Sequence, residues 1–175
     1  EVPLQNDRIL SEPLYARAWL ALARMAYIRV DFDGAEECAS KALAQHKGLA
    51  AAYRVRSQAR FWRAEAAVAP AEALRLRRLS LEDAEEAIRL GEPAYAARGN
   101  ARWRRGDRDG ALEDFARALE VEPLDALTRN HRGVLWVERN DLPAALRDFD
   151  QALEIAPGFG SAWANRAQAR VLAGD

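Results

Sequence analysis

The sequence is poor in the residues that most active-site chemistry needs. A single cysteine, Cys38, stands among 175 residues; it cannot close an internal disulfide, and a lone thiol fits a reducing compartment. Histidine occurs twice, as His46 and His131. No HExxH, CxxC, GxSxG or glycine-rich phosphate loop is present, and the plentiful carboxylates scatter along helix faces. No catalytic constellation, metal site or cofactor is therefore expected, and the chain is not read as an enzyme. No apolar run reaches the ~18 residues that suggest a membrane span, and the opening EVPLQNDRIL lacks the basic-then-apolar order of a signal peptide. An excess of either charge is missing as well. With 26 basic and 27 acidic residues the net charge is −1, which argues against a general attraction to nucleic acid or anionic membrane. The chain has no initiating methionine and stops at Ala173-Gly174-Asp175 inside a repeating pattern, so it reads as a piece of a longer protein.

What the sequence does have is alanine, leucine and a period. Half of its residues are hydrophobic, enough for one continuous core. Residues 92–125 (EPAYAARGNARWRRGDRDGALEDFARALEVEPLD) and 126–159 (ALTRNHRGVLWVERNDLPAALRDFDQALEIAPGF) are one pattern of 34 residues written twice. Arg98-Gly99 falls on Arg132-Gly133, Gly106-Asp107 on Asn140-Asp141, Asp114-Phe115 on Asp148-Phe149, and Pro123 on Pro157. Each copy has two apolar runs of helical spacing on either side of a Gly/Asn-Asp break, and a proline closes it. Gly106 and Asn140 suit a turn that needs a positive φ.

At that period and with those residues the chain resembles the tetratricopeptide repeat (TPR) family, whose helix-turn-helix units stack into a right-handed superhelical solenoid. The resemblance implies an all-α fold organised as follows. Residues 1–15 are a lead-in or the end of a preceding repeat, with Arg8-Ile9-Leu10 as its last turn. Residues 16–49 are a first unit, with Trp19, Leu22 and Ala23 in its first helix. Residues 50–91 are a second unit about eight residues over the period, and 92–125 and 126–159 are the third and fourth. Residues 160–175 are the first helix of a fifth unit or a capping helix. The extra length lies between Arg63 and Ser80, as an elongated helix pair joined near Ala69-Pro70. Arg75, Arg77 and Arg78 then ride on a protruding turn, either as a solvated face or as a docking surface.

Gly99, Gly133 and Ala167 on first helices, and Ala111, Ala118, Ala145 and Ala152 on second ones, allow close approach. Tyr53, Tyr95, Phe115, Phe149 and Trp163 fill the space between. Cys38 falls on an inward-looking face and reads as a small core residue. Arginine recurs as Arg56, Arg98, Arg132 and Arg166, and in units three and four an aspartate follows sixteen residues later, Asp114 or Asp148. A partly buried, bidentate Arg–Asp pair across each helix pair is predicted.

Such solenoids bind on the face made by their first helices. The family's groove positions, carried onto this chain, give Arg17, Arg24 and Tyr27 in unit one and Arg54, Gln58, Phe61 and Trp62 in unit two. They give Asn100, Trp103 and Arg104 in unit three, Asn130 and His131 in unit four, and Asn165 in the fifth. The charged groove positions are Arg17, Arg24, Arg54 and Arg104 against Glu138, a local +3 on a chain of −1. Tyr27, Phe61 and Trp103 line up as an aromatic column beside Trp62, and Gln58, Asn100, Asn130 and Asn165 could bond a peptide backbone.

The clamp by which one TPR subclass holds chaperone tails needs Lys and Asn, then Asn, then Lys and Arg, at set positions of three successive units. Those positions read Leu20 and Arg24, Val55, Pro93 and Ala97, or one unit later Arg54 and Gln58, Ala97, Leu127 and His131. Neither register builds it. The reading is a scaffold module of a larger cytoplasmic protein, taking a protein or peptide partner of acidic character and no membrane. Self-association through the end helices, Leu14 to Leu22 or Trp163 to Leu172, is one alternative. Arginine-mediated binding of nucleic acid through Arg54, Arg60, Arg63, Arg75, Arg77, Arg78, Arg102, Arg104 and Arg105 is another, which the balanced charge disfavours.

Overall fold

The computed structural model describes residues 5–174, with side chains from 14 onward, and among these the secondary structure is helical throughout. The helices are α1 (Gln5–Ile28), α2 (Phe32–Gln45), α3 (Ala50–Ala66), α4 (Pro70–Arg89), α5 (Tyr95–Arg104), α6 (Arg108–Val121), α7 (Ala126–Glu138), α8 (Leu142–Ile155) and α9 (Gly160–Ala173). The chain divides into two compact units between Arg105 and Gly106. In the first, each helix packs on the next, and α3 also touches both α1 and α5. In the second, α6 to α9 pack in chain order and α7 also touches α9. First helices of successive repeats therefore lie side by side within each unit. The fold is an all-α helical repeat.

The break between paired helices has a two-residue logic. The first residue turns left-handed to end one helix and the second, an aspartate, caps the next. Gly106 has φ 88° and Asn140 φ 61°; Asp107 then accepts from the Gly110 N–H at 2.9 Å and Asp141 from the Ala144 N–H at 3.0 Å. Each such cap contributes about 1 kcal/mol. Unit one uses the same device with a less suitable residue. Asp31 caps α2 through the Gly34 N–H at 2.9 Å, but the left-handed position is held by Val30, φ 63°, a conformation unfavourable to a β-branched side chain.

The gap between helices of a pair is equally specific. A Cβ on Gly133 would sit 2.5 Å from the ring of Phe149, which is fully buried. Ser57 takes the corresponding place on α3. Its hydroxyl donates to the Ser80 carbonyl at 2.7 Å, and the Ser80 hydroxyl donates to the Ser57 carbonyl at 2.9 Å, both side chains being buried. Small residues and leucines fill the rest of the core: Leu20, Ala23, Ala39, Ala42, Leu43, Ala52 and Val55 form one cluster, with Cys38 packed against it. Phe115 is fully buried too.

Several expectations change. α1 runs unbroken from Gln5 through the segment read as a lead-in; residues 1–4 lie outside the described residues. The connection in unit two is residues 67–69, with Pro70 the first residue of α4, so Arg75, Arg77 and Arg78 stand on α4 itself rather than on a turn. Trp163 fills no gap. It is half exposed, donates from Nε1 to the Pro157 carbonyl at 2.8 Å and lies under the Arg166 guanidinium. Ala167 is exposed as well, since no helix among the described residues covers that side of α9.

Two substitutions test these constraints by chemical denaturation. Val30→Gly relieves the left-handed strain at a side chain already 69% exposed, and should raise stability by about 0.5–1 kcal/mol; no gain would mean that the turn tolerates valine. Gly133→Ala should cost about 1–3 kcal/mol despite alanine's better helix propensity, whereas Gly158→Ala, with open space around its Cβ, should stay within about 0.5 kcal/mol.

Candidate functional site

α1 and α3 lie against one another, and their faces bring Arg24, Tyr27, Ile28, Arg54, Val55 and Gln58 around one cleft of ≈ 350 Å3. The aromatic wall beside it is held by α2. Phe32, the first residue of that helix, stacks on Trp62 at 6.0 Å and 16° and meets Tyr27 at 5.6 Å, while Trp62 Nε1 donates to Tyr27 Oη at 3.0 Å. Two groove residues expected separately thus form one bonded pair. Bonding and stacking at both partners restrict their rotamers, so the rings form a pre-organised surface.

The remaining predicted positions divide. Phe61 is a correction: it is 3% exposed, one turn beyond Ser57 on the stripe that α3 turns toward α4, so the column Tyr27–Phe61–Trp103 is not an open wall. His131 is another. Expected at the surface, it is 9% exposed and tilts against Phe115 of α6 at 6.1 Å. Asn130 is buried, and its Oδ1 accepts from Asn165 Nδ2 at 2.9 Å, so these two amides join α7 to α9 instead of awaiting a peptide. Asn100 and Trp103 are half-buried on α5, and Arg17 is exposed on α1.

The local charge also needs correcting. Arg54 Nε donates to Glu92 at 2.6 Å, and Arg104 bonds Glu65 at 2.7 Å with its guanidinium 4.4 Å over the Trp103 ring. Glu138 is met by Arg108 at 2.6 Å. Glu92 and Glu65 occupy no groove position of the family pattern and were not counted. Arg17 and Arg24 remain, each without an ion pair among the described residues.

Other arginines are absorbed by packing. Arg132 binds Asp148 through Nε and Nη2 at 2.8 and 2.6 Å, the bidentate pair expected. Arg56 binds Asp83 in the same way at 2.8 and 2.7 Å, an acid that the spacing of sixteen did not reveal. Ser80 stands in the aspartate column of the lengthened unit, and the carboxylate comes one turn later. Asp83 also takes Arg60 at 2.7 Å, Arg60 continues to Glu36 at 2.8 Å, and Arg63 bridges Glu36 and Asp33. This chain of charges ties α2, α3 and α4 together. Burial pushes the Glu36 carboxyl up, but hydrogen bonds and charge from Arg60 and Arg63 more than reverse that and hold it below its ordinary 4.5. Among the described residues there is no metal-binding cluster, and no helix is long and apolar enough to cross a membrane.

Comparison places this geometry among known folds. The tetratricopeptide repeat family profile matches residues 96–158, and no curated protein matches the sequence. Among solved structures, TTC0263, a thermophilic TPR protein of Thermus thermophilus, aligns with a TM-score of 0.74 at 24% identity, over 94% of this chain and 87% of that one. YrrB, a TPR protein with an unusual peptide-binding site, aligns at 0.63 and 18% identity over 98% and 84%. The first TPR of Spaghetti (RPAP3), bound to the HSP90 peptide SRMEEVD, aligns at 0.59 and 20% identity over 73% and 97%.

Because the folded pKa of Glu36 is depressed, its contribution is present above pH 4.5 and is lost as pH falls through the folded value. Glu36→Gln should therefore cost about 2–3 kcal/mol at pH 7, leaving Arg60 and Arg63 short of a partner. The gap between mutant and wild type should narrow below about pH 4.5. A gap that does not change with pH would show that the carboxylate's charge is immaterial.

Proposed function

As a member of the tetratricopeptide repeat family by its repeats at 96–158 and by its fold, this chain is, we propose, a protein-interaction module that takes a partner segment on the face of α1 and α3. The observation that carries this reading is the cleft of ≈ 350 Å3 bordered by Tyr27, Ile28, Val55 and Arg24, the last without an ion pair among the described residues. Apolar area with one free guanidinium and the Gln58 amide suits a short extended or helical peptide bearing an acidic residue or a terminal carboxylate. Peptide binding by the structurally similar YrrB and by the Spaghetti repeat supports the class of partner. The chaperone tail itself is not the proposed ligand, because the Lys and Asn side chains of that clamp are replaced here by Leu20, Val55 and Pro93 among others.

Of the groove cations, Arg17 and Arg24 have no ion pair among the described residues. The experiment is fluorescence anisotropy with a degenerate acidic peptide library and its amidated, Asn/Gln-substituted counterpart. The acidic library should bind more tightly, and Arg17→Glu/Arg24→Glu should weaken it about tenfold or more with helicity unchanged by circular dichroism. Equal binding of both libraries, or no effect of the double substitution, would remove the groove reading. The exposed apolar faces of α1 (Leu14, Tyr15, Leu22, Met25) and α9 (Trp163, Val171, Leu172) favour self-association as a second reading. A sedimentation mass that does not rise with concentration would dispose of it.

A further inference from the structure

A second cleft, of ≈ 400 Å3, is lined by Ala71, Leu74, Arg75, Arg78 and Arg105. It shares no lining residue with the groove cleft. Four of the five residues come from the amino-terminal half of α4, the lengthened helix of the second repeat, and the fifth follows the end of α5. Its floor is apolar and open, Leu74 being 68% exposed. Three arginines line it, Arg75, Arg78 and Arg105. Arg105 has no partner among the described residues, Arg78 reaches Glu82 only at 3.9 Å, and Arg75 is held by Glu72 at 3.2 Å in full view of solvent. Neither glutamate lines the cleft. No side chain caps the amino end of α4, which starts at Pro70 and carries Glu72 in its first turn.

We propose that this cleft binds a phosphoryl dianion carried beside an apolar residue on a partner segment, a phosphoserine or phosphothreonine site. Three forked donors exceed what one carboxylate can accept, whereas a phosphate offers three acceptor oxygens and a charge near −2. Leu74 and Ala71 supply contact for the apolar neighbour, which a bare ion does not use. A nucleic-acid track would need a row of free cations. Here Arg60, Arg63, Arg77 and Arg104 are tied to Glu36, Asp33, Asp83 or Glu65, and a compact triad is left. The site stands independently of the groove: either can fail without the other.

The test titrates the 175-residue chain with phenyl phosphate, inorganic phosphate and benzoate at fixed ionic strength, following arginine Nε–Hε NMR signals. Phenyl phosphate should bind several-fold more tightly than inorganic phosphate and about tenfold more tightly than benzoate. It should weaken as pH falls below about 6, where the dianion protonates. Arg78→Gln/Arg105→Gln should remove at least about tenfold of the affinity with helicity unchanged, and Arg75→Gln replaces either change if the double variant loses helicity. Arg17→Glu/Arg24→Glu should leave it untouched. Degenerate peptides with a fixed phosphoserine-leucine pair should then bind about tenfold more tightly than their serine counterparts. Benzoate matching phenyl phosphate, full binding by the Arg78/Arg105 variant, equal binding of phosphorylated and plain peptides, or tighter binding of a single-stranded oligonucleotide would each overturn the proposal.

Discussion

The distance at which two helices of a pair can meet is set by one position that carries almost no side chain. At Gly133 the ring of Phe149 occupies the space a Cβ would need; at Ser57 the hydroxyl reaches across to the backbone of Ser80 and receives one in return. The residue just before that position is arginine in both cases, Arg132 and Arg56, and the close approach draws it beneath the partner helix. A guanidinium taken from water there is strongly destabilising unless a carboxylate meets it. Asp148 and Asp83, themselves nearly buried, do so with two bonds each. Desolvation offsets much of that attraction, so the pair contributes more to fixing which turn faces which than to net stability.

What repeats is legible in a single sequence. The helix pairs, the left-handed Gly106 and Asn140, the closing prolines and the Arg132–Asp148 pair all recur at a fixed offset, because each solves a local problem in the same way. Where the period breaks, the extra length of unit two is legible but the pairings it changes are not. Asp83 serves Arg56 and Arg60 because the longer helices of unit two move the acid one turn along, leaving Ser80 in its column. Val30 sits in a left-handed turn that its own chemistry disfavours, held there by the cap that follows.

The groove residues show a related difficulty. A family column assigns a face, but burial depends on which neighbour arrives. α3 turns the Phe61 stripe toward α4, and Phe115 of α6 reaches His131. Charge is harder still, because compensation crosses elements without periodicity. Glu92 and Glu65 belong to no groove position, yet they neutralise Arg54 and Arg104. Counting groove cations alone overstated the field a ligand would meet.

In a chain this rich in arginine and almost neutral overall, most cations are already committed to the fold. A ligand that recruited Arg60 would take one of two arginines from Asp83 and from Glu36, both largely removed from water, leaving them only Arg56 and Arg63, and weakening a buried ion network costs up to several kcal/mol. Few anionic ligands return that much. Among the described residues the cations with no ion pair to lose include Arg17 and Arg24, near the bonded Tyr27–Trp62 wall, and Arg105, but also Arg29, Arg147 and Arg170. Helix packing thus uses up charge where helices must approach, as at Asp83, Glu36 and Asp148, and spares it on exposed faces.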